Sequence, residues 1–490
     1  MPRKNTGSTT ARHAGARPSG GAFPEERGGA AAAPQGLLFP PPGAEALRLM
    51  EKLFALTDAV FPVPARFRSR LGRDVAELSR LLTSARGERG ASYLGRSAML
   101  SAYLRCFLPW NVYRLVRLLP SLPLALSDGD LVTDLGSGPL TLPIALWIAR
   151  PELRPLRLVF RCVDRTAAAM EAGKKLFAAL ASPGREGKTP GSGAAGGSAG
   201  AESGLPETAW TVKTIKGDIL RRGRRGEGFP PDAGSALVCA VNVYNESFGD
   251  IPHSDSRALA RFAGQEARRL SDMAADGASI LVAEPGVPRS GEFIAFLRDA
   301  LAALGRPAVS PCTHGGPCPF PGGREGRAGE NRPGQRKWCH FAFDTDSSPK
   351  KLRDLSADAG IPKERAVLSF LLAGGPARSM AADKRGTAAG AGKNNAPTSA
   401  DKNNAPEDPR IAVRVLSDKF PLAEKSAPRQ AAALSGRYGC SPLGAVLLAG
   451  TGAAMDAAPA GALVRCDPPA RERRDSKSGA LILDWPPAAR

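Results

Sequence analysis

The fold is decided by residues 131–141, which read LVTDLGSGPLT. An apolar strand leads directly into a D-x-G-x-G turn, and the apolar run over residues 142–149 predicts a helix after it. Gly136 and Gly138 allow a sharp backbone turn and let a ligand lie against the backbone without meeting a Cβ atom. The alternative is a glycine turn that serves only the packing of an α/β sheet.

Short β-type runs alternate with helical runs around this stretch, which predicts an α/β fold with a parallel sheet and crossover helices. Two Gly/Ser/Pro-rich inserts, residues 182–204 and 221–234, interrupt the pattern and are expected to be loops outside the sheet. The strand-like runs cover residues 131–135, 158–163, 211–215, 236–241 and 279–283.

Acidic residues follow the second and third strands. Asp164 ends the second strand, where an acidic side chain accepts hydrogen bonds from ribose hydroxyls in nucleoside-binding doubly wound folds. Asp218 follows the third strand and is placed to reach an adenine amino group. A dinucleotide is the competing ligand, but the third glycine that a pyrophosphate needs is missing, with Leu140 and Thr141 in its place. A nucleoside ligand without phosphate therefore fits better.

The fourth strand runs into residues 241–247, which read VNVYNES. This turn lacks the Asn/Asp-Pro-Pro-aromatic pattern that holds an exocyclic amine, and it lacks a Pro-Cys nucleophile. Asn245 and Glu246 are candidates to line the ligand site, with a structural cap on the following helix as the alternative. The sequence assigns no catalytic residue.

Three of the eight cysteines fall within residues 312–339, in the segments PCTHGGPCP and KWCHF. Cys312, Cys318 and Cys339 lie in loop sequence rich in Pro, Gly and Arg, where apolar burial is a poor explanation. Thiolates at such positions can converge on one centre, and nearby Arg and Lys offset their charge. The pattern predicts a metal or cluster site.

A complete site needs a fourth ligand. Cys440 is the best candidate because the sequence around it predicts a polar turn. Cys466, His314 and His340 are weaker candidates, and a Cys₃His zinc site is the chief chemical alternative. The remaining cysteines lie in apolar helix or strand sequence and are expected to be core residues: Cys106, Cys162 and Cys239.

Composition points to a polyanionic partner. Lys and Arg total 67 against 47 Asp and Glu in 490 residues, a formal net charge of +20. Such a balance is typical of proteins that bind RNA or an anionic membrane, and nucleic acid is the first partner to test. No apolar run is long enough to span a bilayer and no signal peptide pattern is present, so a soluble intracellular protein is expected.

The pattern along the chain predicts five regions. The helical region carries an excess of basic residues, either a solvated face or a surface for RNA. A mitochondrial transit peptide is the alternative for the first region. The regions are a disordered basic arm (1–43), a helical segment (44–126), the α/β domain with its cysteine-rich loop at 305–345 (127–373), a low-complexity linker (374–408) and a β-rich C-terminal module (409–490).

Two kinds of motif carry a resemblance to a known family. P-C-x-H-x-G-P-C-P followed by K-W-C-H-F lies downstream of the D-L-G-S-G-P loop and of A-E-P-G-x-P-R at residues 283–289. Together they resemble the mitochondrial small-subunit ribosomal assembly factors of the methyltransferase-like class and their bacterial relatives. The D-L-G-S-G-P loop itself resembles motif I of class I S-adenosylmethionine-dependent methyltransferases. The resemblance covers residues 90–372 well and the C-terminal module loosely.

The resemblance implies a Rossmann-like class I methyltransferase sheet with an N-terminal helical segment and a small C-terminal β-rich module. It also implies S-adenosylmethionine as cofactor, a four-iron four-sulfur cluster, and association with the small ribosomal subunit and its rRNA in assembly and translation. The implied cluster ligands are Cys312, Cys318, Cys339 and Cys440. The expected cofactor contacts are Asp134, Gly136, Gly138, Asp164, Asp218 and Asn245.

Two other functions stay open. One is an active S-adenosylmethionine-dependent rRNA methyltransferase. The other is a zinc-stabilised RNA-binding protein with a vestigial cofactor pocket. A cytoplasmic location is expected, with the mitochondrial matrix as the alternative, and neither a membrane nor DNA is expected as a partner.

Overall fold

Most of the chain between residues 36 and 486 is described by the computed structural model. The predicted basic arm as far as residue 35, nearly all of the two Gly/Ser/Pro-rich inserts, and the linker after Gly374 lie outside the described residues. The described ranges are 36–83, 93–182, 208–219, 234–248, 251–320, 338–374, 409–422 and 434–486.

Eight strands form the central sheet. They are β1 (Leu131–Leu135), β2 (Val159–Asp164), β3 (Thr211–Lys216), β4 (Ser235–Val241), β5 (Ala274–Pro285), β6 (Ala308–Ser310), β7 (Phe341–Asp344) and β8 (Arg365–Gly374). Their order is β3-β2-β1-β4-β5-β8-β6, with β7 also paired to β8. The strands β1 to β5 are parallel, whereas β8 runs antiparallel to β5, β6 and β7. The predicted Rossmann-like α/β fold is confirmed, although the sheet is mixed rather than wholly parallel.

Helices cover both faces of this sheet, which explains why the central strands are mainly apolar. Val132, Phe160 and Val238 are fully buried. The helices are α1 (Ala44–Val60), α2 (Ala65–Arg68), α3 (Leu71–Leu82), α4 (Ser97–Ala102), α5 (Leu108–Leu118), α6 (Thr141–Ala149), α7 (Ala167–Ala181), α8 (Ser256–Met273), α9 (Pro288–Ala303), α10 (Lys350–Asp358) and α11 (Gly452–Asp456).

The N-terminal helices pack directly against the α/β sheet. Met50 in α1 and Trp110 in α5 belong to the same buried apolar cluster as Leu146 in α6 and Phe160 in β2. Between α4 and α5 the chain makes a π-helix over Tyr103–Phe107. Such π segments are rare and are found frequently at functional sites.

Six strands form a second sheet, as predicted for the C-terminal module. They are β9 (Ile411–Val415), β10 (Phe420–Pro421), β11 (Leu434–Ser441), β12 (Gly444–Thr451), β13 (Leu463–Cys466) and β14 (Leu481–Asp484), in the order β13-β9-β11-β12-β14 with β10 paired to β11. Its core is a separate apolar cluster that includes Val413, Val446, Leu448 and Leu483.

Cys440 was expected in a polar turn, and this expectation is wrong. Cys440 is buried in β11, opposite Arg414 of β9. The glycines around it suggested a turn, but a Cβ atom on Gly439 would lie 2.6 Å from Val413 Cγ1 and 2.9 Å from the Arg414 carbonyl oxygen. Glycine here permits close approach of a neighbouring strand rather than a turn.

None of the described helices combines the length and the apolar character that crossing a membrane requires.

Candidate functional site

The loop after β1 uses its two glycines differently. Gly136 has φ of 65° and Gly138 has φ of 52°, a region that side chains rarely adopt. A Cβ atom on Gly136 would collide with Val243, whereas a Cβ atom on Gly138 would have no neighbour within 4 Å. Gly136 is therefore required by packing, and only Gly138 leaves open space beside the backbone.

A pocket lies at the carboxyl ends of β1, β2 and β4, where open α/β sheets bind their ligands. Four of the predicted contact residues line it: Gly136, Gly138, Asp164 and Asp218. The other two, Asp134 and Asn245, are not among the lining residues. The pocket wall also includes Leu94, Tyr103 and Asn111 from the helical segment, which sequence analysis did not identify, together with Arg165, Asn242 and Glu246.

Asp164 binds the loop as well as facing the pocket. Its Oδ2 accepts a 3.0 Å hydrogen bond from the backbone N–H of Gly138, and its Oδ1 accepts one of 2.7 Å from that of Thr166. Burial raises the pKa of Asp164, although both backbone bonds lower it. Each carboxylate oxygen can accept a further bond, so a ligand hydroxyl can still bind Asp164.

Asp134 lies beneath the loop rather than in the pocket. Its side chain is 1% exposed, and its Oδ2 accepts a 2.5 Å hydrogen bond from the hydroxyl of Ser137. Burial, together with the charge of Asp164, raises the pKa of Asp134 to about 7, although the hydrogen bond from Ser137 lowers it. The hydrogen bond between Ser137 and Asp134 stabilises the turn after β1.

The turn after β4 is held by a buried carboxylate that sequence analysis did not single out. Glu284, at the end of β5, accepts hydrogen bonds from the backbone N–H groups of Val243, Tyr244 and Asn245 at 3.0, 2.8 and 3.0 Å. Burial raises the pKa of Glu284 to about 8, against the three N–H donors. Asn242, which comes directly before Val243 in this turn, has φ of 57° and lines the pocket.

The π-helix places Tyr103 in the pocket wall. Burial raises the pKa of Tyr103, as do the charges of Glu246 and Asp164, whereas a hydrogen bond with Asn111 lowers it. The Tyr103 phenol therefore keeps its proton at neutral pH. A π-bulge leaves no periodic signal in the sequence, which explains why this residue was not predicted.

The four cysteines predicted to bind a cluster are brought together from three separate segments. Burial raises the pKa of the Cys339 thiol well above its usual value, and the charges of Cys318, Cys312 and Cys440 raise it further. Burial also raises the pKa of Cys318 to about 12. Cys318 and Cys440 belong to one buried apolar cluster, and Cys339 packs against it.

The loop with Cys312 is held by a buried arginine. Arg298 in α9 donates a 3.2 Å hydrogen bond from Nε to Cys312 Sγ. Its Nη2 donates to the carbonyl oxygens of His314 and Gly316 at 2.9 and 2.6 Å. The ring of His314 in turn lies at this site, with its Nε2 3.5 Å from Cys440 Sγ.

The K-W-C-H-F segment positions Cys339. Trp338 donates a 3.0 Å hydrogen bond from its indole N–H to the carbonyl oxygen of Gly286, and the ring of His340 stacks on it. The hydroxyl of Ser369 in β8 donates to the carbonyl oxygen of Cys339 at 2.8 Å. The backbone on both sides of this thiol is therefore fixed by neighbouring elements.

The other candidates for a fourth ligand differ in position. Cys466 lies in β13, within the core of the second sheet, and the charges that act on its thiol are those of Asp467 and Asp484. His340 Nδ1 lies 3.0 Å from the carbonyl oxygen of Trp338. Within the described ranges, no group of three or more His, Cys, Asp or Glu side chains has an arrangement that could hold a metal ion.

No protein-family model and no curated protein matches this sequence. Among solved structures, an S-adenosylmethionine-dependent methyltransferase from Thiobacillus denitrificans in complex with S-adenosylhomocysteine is 14% identical, with a TM-score of 0.27 over 55% of this chain and 92% of that chain. A methyltransferase from Geobacter sulfurreducens, also in complex with S-adenosylhomocysteine, is 12% identical, with a TM-score of 0.28 over 61% and 98%. A variant of the 16S rRNA (adenine(1408)-N(1))-methyltransferase from Catenulisporales acidiphilia is 14% identical, with a TM-score of 0.25 over 51% and 89%. Each of these three proteins is a methyltransferase, and the last acts on 16S rRNA.

Proposed function

We propose that this protein is an S-adenosylmethionine-binding, methyltransferase-like factor that holds an iron–sulfur cluster and binds rRNA during assembly of the small ribosomal subunit. The observation that carries the proposal is the packing of Cys318, Cys339 and Cys440 in one buried cluster, beside an α/β domain with a nucleoside-type pocket. His314, two residues after Cys312, joins the Cys312 loop to this cluster, because its Nε2 lies 3.5 Å from Cys440 Sγ. The sequence separates Cys440 from the other three by a long low-complexity segment, so chance proximity is a poor explanation.

The groups that line the pocket suit S-adenosylmethionine. Gly138 offers an open backbone surface, Asp164 offers carboxylate oxygens to ribose hydroxyls, and Asp218 lies on the adenine side. When bound, S-adenosylmethionine supplies an electrophilic methyl group. Calorimetry with S-adenosylmethionine and with S-adenosylhomocysteine tests this part of the proposal, and absence of binding to both would overturn it.

The cysteine site fits a metal–thiolate group by the chemistry of its donors. Four thiols whose pKa values are raised by burial and by one another would repel as thiolates unless a cation neutralises them. Ligands of a single zinc ion lie close together, since each Zn–S bond is about 2.3 Å. In a four-iron four-sulfur cluster each thiolate binds a different iron, so the thiols are further apart. Metal analysis decides between the two groups.

Metal analysis of anaerobically purified protein tests the cluster. We expect iron and labile sulfide and a brown colour, all lost on Cys→Ser substitution at residue 312, 318, 339 or 440. Cys162→Ser is the matched control, because this thiol is buried in the sheet away from the site. One zinc per chain without iron or sulfide would leave the ligand set intact and refute the cluster.

RNA binding is supported by the net charge of +20. Neutralised phosphates release condensed counterions, so affinity for small-subunit rRNA should fall steeply with salt. Filter binding across a series of salt concentrations measures this slope. An affinity that does not change with salt concentration would show that the basic residues face solvent without binding phosphate groups.

An active rRNA methyltransferase is the second candidate. The observation that favours it is Asn242, a residue other than glycine with positive φ that lines the pocket directly after β4. Such backbone strain is concentrated at functional sites. Transfer of a labelled methyl group to purified small-subunit rRNA distinguishes this candidate from an assembly role without catalysis.

A further inference from the structure

Arg298 is a buried cation in direct contact with the cysteine site. Its side chain is 4% exposed, and its Nε donates to Cys312 Sγ. Its only carboxylate neighbour among the described residues is Asp299, which is 41% exposed and accepts a 2.5 Å bond from Nη1. Because Asp299 is partly in water, it compensates the buried charge of Arg298 only in part.

Arg414 is a second buried cation, in the strand beside the one that carries Cys440. It pairs with Cys440 across β9 and β11, and it is 9% exposed. Its Nε donates to the carbonyl oxygen of Pro311 at 3.1 Å, and its Nη1 donates to those of Gly36 and Gly461 at 2.7 and 2.8 Å. Carbonyl groups satisfy its donors but carry no net charge.

The charge of Arg414 has no carboxylate partner within the described ranges. Burial lowers its pKa to about 10, and the charge of Cys312 opposes this effect. Burying a guanidinium is costly unless a negative group lies near it. The groups near Arg414 that can carry negative charge are the thiol of Cys312 and that of Cys440, which lies opposite it in β11.

The negative charges of a metal–thiolate group would equal the two arginines in number. Four thiolates around a divalent core, whether a zinc ion or the oxidised iron–sulfur cluster, leave two negative charges. We propose that Arg298 and Arg414 are the two counter-charges of this buried metal–thiolate group, and that Arg298 also orients Cys312 toward it. This inference rests on the proposed function, because it requires the cysteines to bind a metal.

The arginines should affect the bound group in two ways. A hydrogen bond to a ligand sulfur and a nearby positive charge both stabilise added negative charge, and so raise the reduction potential of an iron–sulfur cluster. Partners that orient a ligand also slow the loss of metal. Arg298 contributes both effects, whereas Arg414 contributes charge alone.

The test compares Arg298→Met, Arg298→Lys and Arg414→Met with the wild type, in the full chain purified without oxygen. The measurements are the midpoint potential and the rate of metal loss to a chelator. We expect both Met variants to have a more negative potential. We expect Arg298→Met to lose metal about tenfold faster or more, the range seen when partners of metal ligands are removed. Arg298→Lys keeps the charge, so its potential should stay closer to that of the wild type.

Two buried arginines away from the cysteines are matched controls. Arg289 lies in the same helix as Arg298 and donates to the carbonyl oxygen of Pro252 at 2.9 Å. Arg437 lies in the second sheet and donates to the carbonyl oxygen of Met455 at 2.8 Å. Arg289→Met and Arg437→Met should lower stability without moving the potential, which separates electrostatics from general loosening.

The outcomes separate the two proposals. A wild-type protein with no metal refutes the proposed cluster and this inference together. A wild-type protein that holds metal, with potential and metal loss unchanged in Arg298→Met and Arg414→Met, overturns this inference alone. If the metal is zinc, the rate of zinc loss replaces the potential as the deciding measurement. If Arg298→Met fails to fold by circular dichroism, Arg298→Lys and Arg414→Met decide.

Discussion

Gly291 in α9 and Trp338 lie in direct contact. A Cβ atom on Gly291 would lie 2.6 Å from Cδ1 of Trp338 and 3.1 Å from the carbonyl oxygen of Cys339. The same indole donates its N–H to Gly286, two residues after Glu284, which holds the pocket turn. The segment after β5 therefore supports the cofactor pocket at one end and the cysteine site at the other.

Gly291→Ala should damage the cysteine site. The added methyl group must displace Trp338 or the backbone of Cys339, and overpacking of this kind typically costs about 1–3 kcal/mol. We expect lower thermal stability and faster loss of metal to a chelator. Gly264→Ala is the control, because Gly264 also lies in a helix and its Cβ would meet nothing within 4 Å. Alanine there should be neutral or stabilising; equal metal loss in both variants would contradict the packing argument.

Asp164→Ala should weaken binding of S-adenosylmethionine. The substitution removes the ligand contact and frees the Gly138 N–H, so we expect a loss of about 1.5–3 kcal/mol, or roughly 10- to 150-fold in affinity. Calorimetry measures the change. Asp128→Ala is a control, because Asp128 pairs with Arg157 at the surface. Unchanged affinity in Asp164→Ala would refute its assignment to the ribose.

Glu284→Gln should destabilise the turn after β4. At about pH 9, above its pKa of about 8, Glu284 is a carboxylate with two acceptor oxygens, and the measurements are made there. The amide of glutamine has one such oxygen, so its NH₂ group would face the backbone N–H of Val243, Tyr244 or Asn245 without a bond. We expect about 1.5–3 kcal/mol lower unfolding free energy, and weaker cofactor binding because Asn242 would move. Urea denaturation and calorimetry provide the measurements. Glu171→Gln, at an exposed position of α7, should change neither.

The buried Asp134 should make stability fall as pH rises. Its pKa is raised from 3.8 to about 7, so between these values the folded state keeps a proton that the unfolded state has lost. The unfolding free energy therefore decreases through this window by up to about 1.4 kcal/mol per pH unit. Asp134→Asn lacks this dependence while its oxygen still accepts from Ser137.

Urea denaturation from about pH 4 to pH 8 checks this sign. The difference in unfolding free energy between wild type and Asp134→Asn should grow in favour of the variant as pH rises. Asp354→Asn, at an exposed position of α10, is the control and should follow the wild type. Parallel curves for wild type and Asp134→Asn would show that Asp134 does not hold the proton.

The sequence by itself determined five of the eight strands in the central sheet. Residues 131–135 were predicted as a strand and form β1 with the same bounds, and the next four predicted strands all form, with β5 longer than expected. These strands depend on local sequence, because a short apolar run between turn residues favours a buried strand. The antiparallel β8 and the strand around Cys440 were not predicted, because glycines and partner strands far along the chain decide them.

Only the tertiary structure decided which residues support each site. Gly136 and Gly138 have the same role in the sequence motif. In the structure Gly136 packs against Val243, whereas Gly138 has open space beside its backbone. Tyr103 reaches the pocket only through a π-helix. Arg298 contacts Cys312 from a helix, and Arg414 lies opposite Cys440 in a strand far along the chain. Sequence patterns record local periodicity, whereas burial and charge compensation arise only when distant segments pack against one another.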